Sequence, residues 1–214
     1  EQLQLLPING DQLGRKNVVA IVRGEKGEAK ESLVCIGHID TVGIDDYAEL
    51  RDYATDPHSL KEKLPGIKFG EETLSEITSD EWLVGRGILD MKTGVAALIV
   101  MIEEFTAQAA QLGGNLVFFG VPDEEGNSAG MLAAVQELAR MRKEQGWEFI
   151  GAIDTDYTTL RYPGDTNRYV YVGTIGKLLP CFYLYGEETH VGEAFNGLDA
   201  NLLASEVLYQ MDLS

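Results

Sequence analysis

The sequence predicts an α/β protein: a mostly parallel sheet with helices on both faces, in three layers, followed by the start of a smaller α+β domain. Three observations carry this prediction. Runs of β-branched, apolar residues recur along the first 154 positions, and the later ones are separated by stretches of helical periodicity, as parallel strands require. This is the βαβα order that covers both faces of a sheet. Near Tyr169 the pattern changes to two extended runs and then one helix.

Taken in order, NVVAIVRG (17–24) and SLVCIGHID (32–40) are strand runs separated by a Gly/Lys/Glu turn, which predicts a hairpin leading into a buried strand. Residues 44–81 are polar and contain Pro57 and Pro65, so they form a long connection carrying short helices. Connections of that length usually form a functional loop or rim. TGVAALIVMIEEFTAQAAQ (93–111) reads as a helix apolar on nearly all sides, hence buried. NLVFFGV (115–121) is a strand, AGMLAAVQELARMRKEQG (129–146) an amphipathic helix, and FIGAID (149–154) another strand. RYVYVGTIGKLLPCFYLYGEE then supplies the two extended runs. LDANLLASEVLYQMDL supplies a helix with Leu198, Leu202, Val207 and Leu208 near one face, set to pack on a sheet of its own. A boundary close to Lys177 divides the chain into 1–177 and 178–214. No internal repeat or low-complexity segment interrupts it.

Composition narrows the function classes. With 214 residues, 44% of them apolar, the chain has room for one full domain and part of a second. Its net charge of −18 (17 basic against 35 acidic residues), with no basic block to offset it, repels phosphate backbones and anionic membranes. Neither nucleic acid nor membrane is an expected partner. No run reaches the roughly 18–20 apolar residues of a membrane span, and no charged start precedes an apolar stretch. Cys35 and Cys181 both sit in apolar, strand-like surroundings, which predicts two buried thiols in a reducing compartment, the cytoplasm. The chain opens on Glu1 and closes within a helical pattern, so both ends read as cut.

Ligands of an open parallel sheet collect at the carboxyl ends of its strands. There this chain repeatedly places acids or imidazole. Strand 32–37 ends in His38 and Asp40; GRGILDMKTG puts Asp90 just before a helix; strand 115–121 ends in PDEEGN, with Asp123, Glu124 and Glu125; strand 149–153 ends in DTD, with Asp154 and Asp156. Several carboxylates in one cleft repel one another, and burying them unpaired costs several kcal/mol each. One or two divalent cations with His and carboxylate ligands remove that cost. Asp40 follows His38 by two, on the same side of an extended chain, and can hold the imidazole from behind. Glu124 and Glu125 are consecutive and cannot point the same way, so one can bind metal while the other takes a proton from an attacking water. Each feature has a plainer reading alone: a satisfied polar pair, a helix cap, a solvated turn. All of these would have to hold at once.

GHIDTVG, then DEWLVGRGILDMKTGVAAL, then VPDEEGNSAGM, then a strand ending in an acid, then VGTIGKLLPCFYLYGEETHVGEAFNGLDAN, resemble the co-catalytic metallopeptidases and amidohydrolases that include glutamate carboxypeptidase, aminoacylase and tripeptidase relatives. The likeness runs from about Asn17 to the C-terminus in the family's order. Within the family, DTVGIDDYAELRDYATDPHSL and IDTDY look closest to arginine-utilisation members of the RocB type. The resemblance implies a zinc-aminopeptidase-like fold and two divalent ions, zinc first, with manganese or cobalt also compatible. His38 would be a terminal ligand, Asp40 its orienting carboxylate and Asp90 a bridge between the metals, with Asp90–Met91 a candidate cis peptide. Glu124 would be the general base and Glu125 a ligand. Asp156 would be the next ligand, with Asp154 as the alternative. His190, in the THVG element, would stabilise the oxyanion, and residues 178–214 would begin a lid and dimerisation domain, making a homodimer. The substrate would be a small peptide or an N-acyl amino acid, in arginine or other amino-acid catabolism. Exopeptidase, deacylase and amidase stay open.

One departure stands out. The family takes a further histidine ligand from a late segment, and this chain has only His38, His58 and His190. His58 lies in a polar loop and reads as solvated. The chain therefore reads as a fragment, inactive by itself. A non-catalytic metal- or amino-acid-binding relative, or an inert fragment, are the alternatives to an enzyme.

Overall fold

The computed structural model describes residues 2–173, 176 and 180–212. Five strands, β1 (Gln2–Pro7), β2 (Lys16–Val22), β3 (Glu31–His38), β4 (Asn115–Val121) and β5 (Glu148–Asp154), form one sheet in the order β1-β2-β4-β3-β5. β4–β3 and β3–β5 are parallel; β1–β2 and β2–β4 are antiparallel. The sheet is therefore mixed, where the sequence predicted a mostly parallel one.

The expected hairpin between the first two sequence-predicted strands does not form, because β4 lies between β2 and β3. β4 is buried along its whole length, and a run apolar on both faces belongs at the centre of a sheet. The connection after β2 is committed elsewhere: the amides of Glu25 and Lys26 donate to the carbonyls of Ala109 (2.9 Å) and Leu112 (3.0 Å). β1 was not foreseen. Its alternation leaves Leu3 and Leu5 exposed while Leu6 packs on the core.

The alternation of β4 sorts the core. Val117, Phe119 and Val121 join a cluster with Ala134 and Met141 of helix α4 (Ala129–Gln145). Leu116 and Phe118 join another, with Val95, Leu98 and Phe105 of helix α3 (Gly94–Ala107). α3 does not match its expected burial on all sides: Ile99 is 48% and Val100 59% exposed. One sheet face can cover only one stripe of a helix, whatever its composition. The long connection carries a turn of 3-10 helix (Asp45–Tyr53), then α1 (Pro57–Lys63) and α2 (Glu71–Thr78). α1 starts where Asp56 accepts the amides of His58 and Ser59. No helix among the described residues is long and apolar enough to cross a membrane.

The chain divides into two compact units, Glu1–Arg168 and Tyr169–Ser214. Lys177, where the sequence placed the boundary, lies outside the described residues, as do Thr174, Ile175, Leu178 and Leu179. Among its described residues the second unit holds a 3-10 turn (Val191–Asn196), helix α5 (Ala200–Asp212) and a bridge, Glu187 to Leu198. Among its described residues there is no strand, and the expected packing of α5 on a sheet is not found: Leu198, Leu202 and Leu208 are exposed. Without such a sheet Cys181 is exposed rather than buried, whereas Cys35, inside β3, is buried as expected.

Candidate metal centre

β3 and β4 run side by side, with His38 opposite Val121. The imidazole at the end of one strand therefore meets the loop that follows the other. His38 is buried, and its backbone amide donates to the sulfur of Met91 (2.9 Å), which fastens β3 to the turn Ile88–Thr93. That turn carries Asp90, and the Asp90–Met91 peptide is cis. Two glycines permit the approach. Gly87 has φ +74°, and a Cβ there would lie 2.5 Å from the Thr41 methyl. At Gly94, a Cβ would run into the carbonyl oxygen of Thr155, just past β5.

One nitrogen or oxygen each from His38, Asp90 and Glu125 lie within 4.8 Å of one another. Nδ1 of the imidazole faces the Asp40 carbonyl at 3.1 Å and Nε2 faces Oδ1 of Asp90 at 2.7 Å. The carbonyl accepts only if Nδ1 holds the proton, which turns the Nε2 lone pair toward the carboxylate. Two acceptors at that separation need a proton or a metal cation between them. Burial lowers the His38 pKa, but the hydrogen bond and charge of Asp90, the Asp40 carbonyl and the Asp156 charge outweigh it and raise the value overall. Burial raises the Glu125 carboxyl, and the Asp90 charge raises it further. An imidazole lone pair and two carboxylates in mutual repulsion are a donor set that a divalent cation fits.

Asp40 does something the two-residue spacing does not reveal. Its carboxylate stands 3.6 Å from Nδ1 of His38, and its oxygens accept the backbone amides of Glu124 and Glu125, each at 3.2 Å. It holds the acidic loop at least as directly as it holds the imidazole. Glu124, beside Glu125 in that loop, is half-buried and is not one of the three clustered groups. Asp154 and Asp156 sit at the end of β5; the amide of Asp156 donates to Asp154 (3.3 Å), and both charges act on His38, yet neither joins the cluster. His58 is exposed on α1. His190 belongs to the second unit, where its Nδ1 accepts the amide of Gly192 (3.1 Å).

Two further features of this region escape sequence reading. A cleft of about 200 Å³ is lined by His38, Asp40, Thr41, Gly87, Met91 and Lys92 among others. Arg86, within the G-R-G element, pairs with Asp46, stacks 5.2 Å over Tyr47, and through its amide donates to the carbonyl of Ala54 (2.7 Å). It thereby fastens the long connection beside the metal-ligand candidates. Its partners lie some 30 to 40 positions upstream and leave no local pattern.

The description "Peptidase family M20/M25/M40" matches residues 34–165. The chain is 40% identical over 200 residues to Protein RocB of Bacillus subtilis (strain 168), covering 94% of this chain and 35% of that protein. It is 38% identical over 208 residues to protein YqjN of the same organism, covering 94% and 36%. It is 28% identical over 185 residues to a succinyl-diaminopimelate desuccinylase of Xanthomonas campestris pv. campestris (strain B100), covering 86% and 43%. The chain thus spans about a third of the length of the two Bacillus relatives. With His38, Asp90 and Glu125 drawn together inside the matched segment, the chain belongs to the peptidase family M20/M25/M40.

Proposed function

We propose that the chain is the metal-binding part of a hydrolase of amide or peptide bonds that acts on small peptides or N-acyl amino acids. The observation that supports this is the convergence of His38, Asp90 and Glu125 within 4.8 Å at the carboxyl edge of the sheet. In this reading His38 would be a terminal ligand of one divalent ion, Asp90 would be shared with a second, Glu125 would be a ligand of that second ion, and Asp156, or Asp154 in its place, would be the next ligand; the further histidine of the family has no counterpart among His38, His58 and His190. When bound, such ions supply Lewis-acid polarisation of the scissile carbonyl and acidify a water. Zinc suits the imidazole, and manganese or cobalt suits the oxygen-rich remainder.

The protein's own groups do the rest. Asp40 holds the proton-bearing side of His38 and aims the loop. Glu124 takes the proton of the attacking water and returns it to the leaving amine. His190 stabilises the oxyanion. Residues 1–177 form the catalytic domain, and 178–214 begin a lid that closes over small substrates and joins a second copy. In the same reading the substrate is drawn from arginine or other amino-acid catabolism.

Glu124→Gln in the full-length protein tests the assignment. Metal content after dialysis stays at the parent level, while turnover across dipeptides and N-acyl amino acids, arginine derivatives included, falls by about 10²- to 10⁴-fold. Unchanged turnover refutes the base. A parent protein that holds metal and hydrolyses nothing in the panel is a binding relative instead.

A further inference from the structure

We infer that Arg15 and Asp11, in the loop between β1 and β2, are positioning residues for the acidic loop 122–128, and through it for the Glu125 ligand. The inference rests on the metal-site reading above. Arg15 Nη1 donates to Oδ1 of Asp123 at 2.7 Å across 108 positions of sequence. Asp11 aims that guanidinium: it accepts from Arg15 Nε (3.0 Å), Nη2 (2.6 Å) and the Arg15 amide (2.6 Å). The Asp11 and Asp123 side chains are 4% and 11% exposed, so water competes little for either.

Asp123 is the hinge of the loop. It holds φ +72°, a conformation that costs a residue with a Cβ and is kept only where surroundings impose it. Its Oδ2 accepts the amide of Ala129 (3.1 Å) and its carbonyl accepts that of Ser128 (2.6 Å). Ser128, at the helix cap position, has no capping side-chain hydrogen bond, so Asp123 starts α4 from six residues upstream. Asp123 then governs the first turn of α4 on one side and the placement of Glu124 and Glu125 on the other. Asp40 grips those two residues from the β3 side, and the Arg15 fork is the opposing grip. Without it, Oδ1 of Asp123 loses its charged partner, and the left-handed turn is held only by backbone amides, those of Ser128 and Ala129 among them.

The test compares the full-length protein with Arg15→Ala, first metal-free and then titrated with Co²⁺. In the metal-free proteins, amide hydrogen exchange at Glu124, Glu125 and Ala129 is expected to quicken by about tenfold or more in the variant, with β4 amides unchanged. Co²⁺ affinity is expected to fall by about 10- to 100-fold, with a shifted visible absorption band, as for the loss of a group that orients a ligand. Loop exchange, affinity and band equal to the parent's overturn the inference, whatever happens to the melting temperature. Should Arg15→Ala not fold, Arg15→Lys, which keeps the charge and loses the fork, and Asp11→Asn are measured in the same way. Parent-like loop exchange in both overturns the inference. A parent protein that takes up no Co²⁺ refutes the metal site instead, while the exchange comparison still decides the brace.

Discussion

Asp40 receives two backbone amides from a loop 84 positions away, and this defines what a change there does. Asparagine would turn an N–H₂ donor toward one of those donors. Asp40→Asn is therefore expected to lower metal affinity by about 10- to 100-fold, measured by competition with a chromophoric chelator; parent affinity would make the amide contacts dispensable. Acid acts on the other grip. Hydrogen bonds from Arg15 hold the Asp11 carboxyl below the ordinary carboxylate range. Because the folded value is the lower one, its stabilising contribution is complete above the unfolded value of about 3.9 and is lost as pH falls through the folded one. Asp11→Asn is expected to lower the urea midpoint at pH 7 and to converge with the parent as pH drops below about 4. At this scale the sequence points to strand ends as places where acids and imidazole gather, and His38 and Asp90 do lie 2.7 Å apart there. The Asp40 amide contacts and the Arg15 fork were not legible, since both are set by chain crossings that no local pattern encodes.

β4 shows what an element reveals of itself and what it conceals. Its limits, 115–121, match the apolar run residue for residue, because seven consecutive buried positions are a composition signal. Its neighbours are not in that signal: pairing with β2 and β3 joins segments about 80 to 100 positions apart. The same blindness produced the expected hairpin, in which two adjacent runs were paired although a third fits between them. Helix α3 was misjudged in another way, since apolar content reports what can be buried and not what finds a cover. Phe119, central in β4 and fully buried, tests the assignment of the core. Phe119→Ala is expected to cost about 3–5 kcal/mol in urea unfolding, and a cost below about 1 kcal/mol would place it outside the packed centre. Gly94→Ala, with its Cβ directed at the Thr155 carbonyl, is expected to push the end of β5 from the Asp90 turn and lower metal content without loss of the sheet.

For the molecule as a whole, 35 acids against 17 bases make self-repulsion a standing cost of the folded state. Raising NaCl from about 0.01 to 0.15 M shortens the screening length from about 30 to 8 Å, so the thermal midpoint is expected to rise. A fall would mean that attractive pairs such as Arg15–Asp123 and Arg86–Asp46 outweigh the net charge. The two cysteines give the whole molecule a built-in reporter. Cys181 is open to solvent, while Cys35 lies inside β3 with its thiol pKa pushed up by burial. A maleimide dye added to the native protein therefore attaches once, on the second unit. The remaining sulfur becomes reactive only when the sheet parts, so the lag before a second label is incorporated times the opening of the sheet of the first unit.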